Sequence, residues 1–196
     1  MIEALGGIST AFGLASSAGL NAYIPLLLVA LAARFPSGDP LLRLAEPYDI
    51  VGSWWAIGLL AVLLFIEMTV DKIPAVDTLN DAIQTFIRPA AGALLFAANG
   101  NVITDIHPVL ALAAGLFVAG GVHVAKGTVR PLVTATTAGT GNWFVSLVED
   151  IVAFFMSLLA ILLPVLAGIA FLALVVFIVV VYRRRKKRRN PSFSKG

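Results

Sequence analysis

Residues 67–89, E-M-T-V-D-K-I-P-A-V-D-T-L-N-D-A-I-Q-T-F-I-R-P, lie between two strongly apolar runs. The stretch holds four acids (Glu67, Asp71, Asp77, Asp81), two bases (Lys72, Arg88) and two prolines (Pro74, Pro89). In water this would be an ordinary polar turn. Beside hydrocarbon, each of these charges needs a partner or a task.

The composition says which setting applies. Of 196 residues, 59% are hydrophobic and 13% charged, and the mean hydropathy is +0.95. A water-soluble domain carries roughly 25% charged residues, so the chain reads as an integral membrane protein. There is no cysteine, which excludes disulfides, thiolate metal sites and cysteine nucleophiles. The histidines, His107 and His123, are too few for a histidine-rich metal site.

Eight of the 14 Lys and Arg residues follow Tyr182, in R-R-R-K-K-R-R-N-P-S-F-S-K-G. Residues 1–182 hold the other six bases against eleven acids, a net −5. A basic run directly after an apolar span marks the cytoplasmic side. It favours anionic lipid as a neighbour and is no sign of nucleic-acid binding. We therefore divide the chain into a membrane domain, 1–182, and a basic cytoplasmic tail without fixed structure, 183–196.

Working outward, residues 8–34 form one long apolar run interrupted by S-S-A-G-L-N (16–21), with Pro25 beyond. Small and helix-breaking residues there predict a broken first helix, with Ser17, Gly19, Asn21 and Pro25 at the break and Ser17 or Asn21 capping the restart. Residues 35–52, with three prolines and two glycines, are a loop. Trp54 and Trp55 form an interfacial belt, and a second span runs to about Val70. Residues 88–98 are too short to cross alone. Either the third span includes the amphipathic residues before Arg88, or 73–89 is bent or re-entrant. The fourth span runs from about Ile106 to Ala125, with Gly115, Gly120 and Gly121 permitting close helix contact. His107, ahead of Pro108, reads as a helix start. The fifth runs from Asn142 to Pro164 and the sixth from Val165 to Tyr182.

The resulting expectation is an all-α polytopic membrane bundle of about six spans, five to seven being allowed. An even count puts both termini in the cytoplasm of a bacterial inner membrane. Lys72, Lys126 and Arg130 then lie inside, while Arg34 and Arg43 dissent. Residues 78–89 and 140–151 echo one another weakly, each with an Asn third and a charge eight positions later, as a possible internal repeat.

Candidate site residues follow from helical spacing. Glu67 and Asp71 are four apart, as are Asp77 and Asp81, and Asp81 and Arg88 continue one face. Asn142, Ser146, Glu149 and Asp150 form another stripe, and His123, Lys126 and Arg130 a third. Complementary charge predicts Arg88 beside Glu67 or Asp71, and Lys126 or Arg130 beside Glu149 or Asp150. The two stretches, 67–89 and 126–150, should then meet.

No H-E-x-x-H, G-x-S-x-G, P-loop or dinucleotide fingerprint is present. The reading is therefore not an enzyme and involves no cofactor, although acids alone could hold a hard cation through oxygen. Broken helices and buried charge point to a transporter or flippase-like carrier for a small charged solute, ion or lipid head group. The alternative is a scaffold whose charges only secure assembly, and a third, less favoured reading is an intramembrane enzyme acting on a lipid. Small-residue faces point to a homodimer.

The blocks G-L-N-A-Y-I-P-L-L-L (19–28), E-M-T-V-D-K-I-P-A-V-D (67–77), R-P-A-A-G-A-L-L (88–95) and G-N-W-F-V-S-L-V-E-D (141–150) together resemble an uncharacterised multi-pass membrane family of bacteria and plastids, domain of unknown function 4126. The resemblance covers about residues 9–165. It implies a polytopic helical protein in which these polar blocks are the pattern, and it implies no particular substrate.

Overall fold

The computed structural model describes residues 2–38, 40–70, 74–99, 106–128, 130–137 and 141–164, together with 166, 173, 175–177, 179–180 and 183. Asp71, Lys72, residues 100–105 and most of 165–196 lie outside the described residues, and with them most of the expected sixth span and basic tail. The fold is all-α. Its helices are α1 (Ile2–Leu20), α2 (Tyr23–Arg34), α3 (Trp54–Val70), α4 (Pro74–Ala98), α5 (Pro108–Gly127), α6 (Arg130–Thr137) and α7 (Asn142–Leu162). A 3-10 turn, Tyr48–Gly52, precedes α3.

Local chemistry sets most of the ends. Ser53 accepts from the Ala56 N–H at the start of α3. His107 caps α5, its Nδ1 accepting from the Val109 N–H, with Pro108 at the first position where no N–H is missed. This bears out His107 as a helix start. The third span's two options resolve into a single helix, because α4 runs unbroken from Pro74 to Ala98 with Pro89 inside it. Residues 74–89 are therefore not a re-entrant hairpin. The echoed segments also sit differently: Asn80 is inside α4, whereas Asn142 begins α7.

The expected broken first helix is corrected in kind. α1 and α2 are not two pieces of one span. The chain reverses at Asn21 and Ala22, and α2 runs back toward the end where α1 starts. At that end Asn99 donates to the Gly7 carbonyl, Ala45 N–H to Ala98, and Leu42 N–H to Ala32. Leu44 and Asn99 form an isolated bridge there.

α1 is the centre of the bundle, packed against α4, α5 and α7. It meets α7 along a polar seam. Thr10 donates to the Ala160 carbonyl at 2.9 Å, and the Ser17 hydroxyl lies 2.7 Å from the Ala153 carbonyl and 2.6 Å from the Ser157 hydroxyl. It meets α4 and α5 through glycine. A Cβ at Gly19 would stand 2.5 Å from the Ala119 carbonyl oxygen, and one at Gly92 would collide with Ala119 and the Gly115 carbonyl. Of the three expected contact glycines on α5, Gly115 alone is used this way; Gly121 faces open space and Gly120 only brushes Pro89.

Polarity is arranged inside out. The buried residues include Thr10, Ser16, Ser17, Asn21, Glu67, Gln84, Arg88, Asn99, Ser146 and Ser157. The outer surface carries Trp54, Leu59, Phe65, Phe86, Phe117 and Phe155. α3 shows it most plainly, with Trp55 90% and Phe65 72% exposed and Glu67 2%. By length and composition α5 and α7 can each cross a membrane, with mean hydropathies of 1.9 and 2.2. α2 and α3 are apolar but shorter, at 12 and 17 residues. The six-span count is thus not reached by the described helices alone.

Candidate functional site

The reversal between α1 and α2 exposes helix ends inside the bundle. A helix begins with N–H groups that lack partners and ends with carbonyls that lack them. Asn21 deals with the first set: its Oδ1 accepts from the N–H groups of Tyr23 (2.9 Å) and Ile24 (3.0 Å). Its Nδ2 donates to Asp150 Oδ1 at 2.8 Å. Pro25, in the first turn of α2, stands where its missing N–H is not needed. At the other end, Lys126 Nζ donates to the Leu20 carbonyl at 3.3 Å and to Glu149 Oε2 at 2.6 Å. A cation therefore meets the carboxyl end of α1 and an acid-backed amide meets the amino end of α2, as the helix dipoles favour.

A second group lies beside it. Glu67 is the buried residue of α3, and Arg88 Nη2 donates to its Oε1 at 3.3 Å. Arg88 Nη1 stands 3.4 Å from His123 Nδ1 on α5. A guanidinium has only donors, so Nδ1 must accept, which assigns the imidazole proton to Nε2. Nε2 in turn stands 3.2 Å from Thr85 Oγ1, which donates onward to the Asp81 carbonyl at 2.9 Å. The pattern is a relay consistent with a neutral His123. Tyr23, just past the reversal, faces Gln84 and feels the charges of Glu67 and Arg88. Arg88 and Gln84 are 2% and 1% exposed. Arg88 Nε and Gln84 Oε1 have no hydrogen-bond partner.

Two elements join the groups. His123 and Lys126 are three apart on α5 and share a face. Asn21 and Tyr23 flank the α2 start. Residues 67–89 are tied to α5 through Arg88 and His123, and residues 126–150 to the reversal through Lys126 and Asp150.

Of the expected pairings, Arg88–Glu67 and Lys126–Glu149 form. Asp150 accepts from Asn21. Asp81 is half-buried on α4, two turns before Arg88; Asn142 is half-buried at the start of α7; Ser146 is buried one turn before Asp150. Arg130 begins α6, and its side chain, like Asp71, lies outside the described residues. Ser17 does not cap the restart. It lies within α1, bonded to α7, because Asn21 is the residue positioned at the reversal. Gly19 acts as a contact against Ala119 rather than as a break.

Tyr23, Gln84 and Ser157 were not among the expected residues, and His123 was placed on a stripe without a role. Gln84 had a signal, four residues before Arg88 on one helical face. Tyr23 had none, because its neighbours come from other helices. Among the described residues no group of three or more His, Asp and Glu side chains could hold a metal ion.

The model of a family described as a domain of unknown function (DUF4126) matches residues 8–184, and the chain belongs to that family. The match runs past residue 165 through the last apolar segment. No curated protein and no solved structure matches the chain.

Proposed function

We propose that this member of the DUF4126 family is a polytopic inner-membrane carrier for a small charged solute, ion or lipid head group. Its site is the polar interior around the α1–α2 reversal. The observation that carries the reading is the inverted polarity: an apolar outer surface encloses a buried Arg88–Glu67 pair and the tied helix ends at Asn21. Such an outer surface is far larger than the patches a water-soluble monomer tolerates. Buried charge and irregular backbone at membrane depth mark solute pathways in carriers.

The orientation follows from the helix order. α1 starts, and α7 ends, at the face holding Gly7, Asn99 and Pro164. The apolar run 165–182, read from the sequence as the last span, would return the chain to the opposite face ahead of the basic tail. That face, with Lys126 and the start of α6, is then cytoplasmic. Because α1 and α2 together turn back to the face from which α1 starts, the N-terminus lies outside, in place of the even count. α2, at about 18 Å, starts within the membrane, as the half-helices of carriers do.

The scaffold reading has one observation in its favour: Arg88 and Lys126 each already hold an acid. Flux assays in proteoliposomes separate the two. A carrier loses uptake or flipping in Glu149→Gln and Arg88→Ala variants that still fold. Full activity in both variants removes these residues from the site. Loss of folding in both, with no solute moved by the wild type, favours the scaffold.

A further inference from the structure

Arg88 presents one edge that the fold leaves half used. Its Nη1 goes to His123 and its Nη2 to Glu67, while Nε, deep in the bundle, has no partner. Nε–H and one Nη2–H lie side by side and form the fork that grips a carboxylate or phosphate through two oxygens. At 3.3 Å, the bond from Nη2 to Glu67 is long for a charge-assisted contact, which normally falls near 2.7–2.9 Å. One turn away, Gln84 Oε1 is a buried acceptor without a donor. Leaving such groups unmet costs stability, so a buried donor and acceptor on one helical face describe a ligand offering the complements.

We propose, resting on the carrier reading above, that the Arg88 fork and Gln84 bind a small monovalent oxyanion bearing its own hydroxyl, and that Glu67 takes up one proton as it binds. Dihydrogen phosphate and a 2-hydroxycarboxylate belong to this class. The anion oxygens accept from Nε–H and Nη2–H, and the hydroxyl donates to Gln84 Oε1. The proton follows from charge. Among the described residues, those facing Glu67 include Arg88 from α4 and Tyr23 from α2; His123 faces Arg88 from α5, and Asp81 lies two turns back along α4. The neighbouring cation Lys126 is held by Glu149. Arg88 and Glu67 are net neutral, so an added anion leaves one negative charge in surplus in a buried site, which is strongly unfavourable. A proton from water converts the Glu67 carboxylate to the acid, Glu67 releases the guanidinium, and no covalent bond changes other than that O–H.

The test is titration calorimetry of the full chain in detergent, with phosphate at acid pH, where it is the dihydrogen ion, and with glycolate across the pH range, in two buffers of different ionisation heat. The expected result is one proton taken up per anion, with affinity falling about tenfold per pH unit where Glu67 is ionised. Glu67→Gln should bind more tightly, with no proton uptake and no such pH dependence. The neutral double variant Glu67→Gln/Arg88→Gln, checked for folding by tryptophan fluorescence, should not bind. Wild type without binding heat, binding without proton uptake, or uptake that persists in Glu67→Gln each overturns the inference. A short-chain phosphatidate distinguishes the sources: binding by it alone assigns the fork to a lipid head group, and binding by the free anions alone to a soluble solute. Proton-coupled binding without flux in vesicles would refute the carrier and leave this site standing. Flux unaffected by Glu67→Gln would do the reverse.

Discussion

Neutralising one member of the Arg88–Glu67 pair should cost far more than neutralising both. Both side chains are 2% exposed and meet at 3.3 Å. With an effective dielectric constant of about 20, two unit charges at that separation attract by about 5 kcal/mol. Removing one partner leaves the other charge buried, which costs about 3–5 kcal/mol. For chains of this size each kcal/mol moves Tm by about 2–4 °C. Arg88→Gln and Glu67→Gln should therefore each lower Tm by about 6–20 °C. The double variant places two amides of similar size where the ions were and should recover most of the loss. The assay is thermal unfolding of the purified protein in detergent, followed through Trp54, Trp55 and Trp143, with the four proteins arranged as a double-mutant cycle. The informative quantity is the coupling energy, about 3 kcal/mol or more. Single variants within about 1 kcal/mol of wild type, with effects that simply add, would refute the premise that the pair is shut away from water, since exposed pairs contribute about that little.

Two further outcomes follow from the packing and the helix order. Gly92→Ala should lose about 1–3 kcal/mol in the same melt by overpacking against Ala119, whereas Gly121→Ala, with open space around it, should gain about 0.5–1 kcal/mol of helix propensity. The chain has no cysteine, so single cysteines report its sidedness: Glu3→Cys and Ser37→Cys should react with a membrane-impermeant thiol reagent on intact cells, and Thr128→Cys only after lysis. Labelling of Glu3→Cys only after lysis would restore the even number of crossings.

Charge was the most legible feature. In an apolar chain each ionised side chain must find a counterpart, and helical spacing shows which charges share a face. That sufficed to anticipate Arg88 with Glu67 or Asp71, and Lys126 or Arg130 with Glu149 or Asp150, of which Arg88–Glu67 and Lys126–Glu149 form. The helix limits were legible where a local donor or acceptor sets them, as at His107–Pro108. The reversal was not. Gly19, Leu20 and Asn21 can bend a helix or end it, and the outcome here rests on long-range partners: Lys126 on the Leu20 carbonyl and Asp150 behind Asn21.

By itself, then, the sequence determined that the chain is helical and apolar, where its polar residues cluster, and which charges need one another, because these depend on composition and on spacing within one helix. Only the tertiary structure decided which face of each helix turns inward. α3 is apolar on every side, so periodicity marks no inner face for it, and Glu67 is its one buried residue. The same holds for the choice of Gly115 over Gly121 and for the meeting of Tyr23, Gln84 and His123 around Arg88. These depend on which helices become neighbours, and that is settled by close contact between surfaces far apart in the chain.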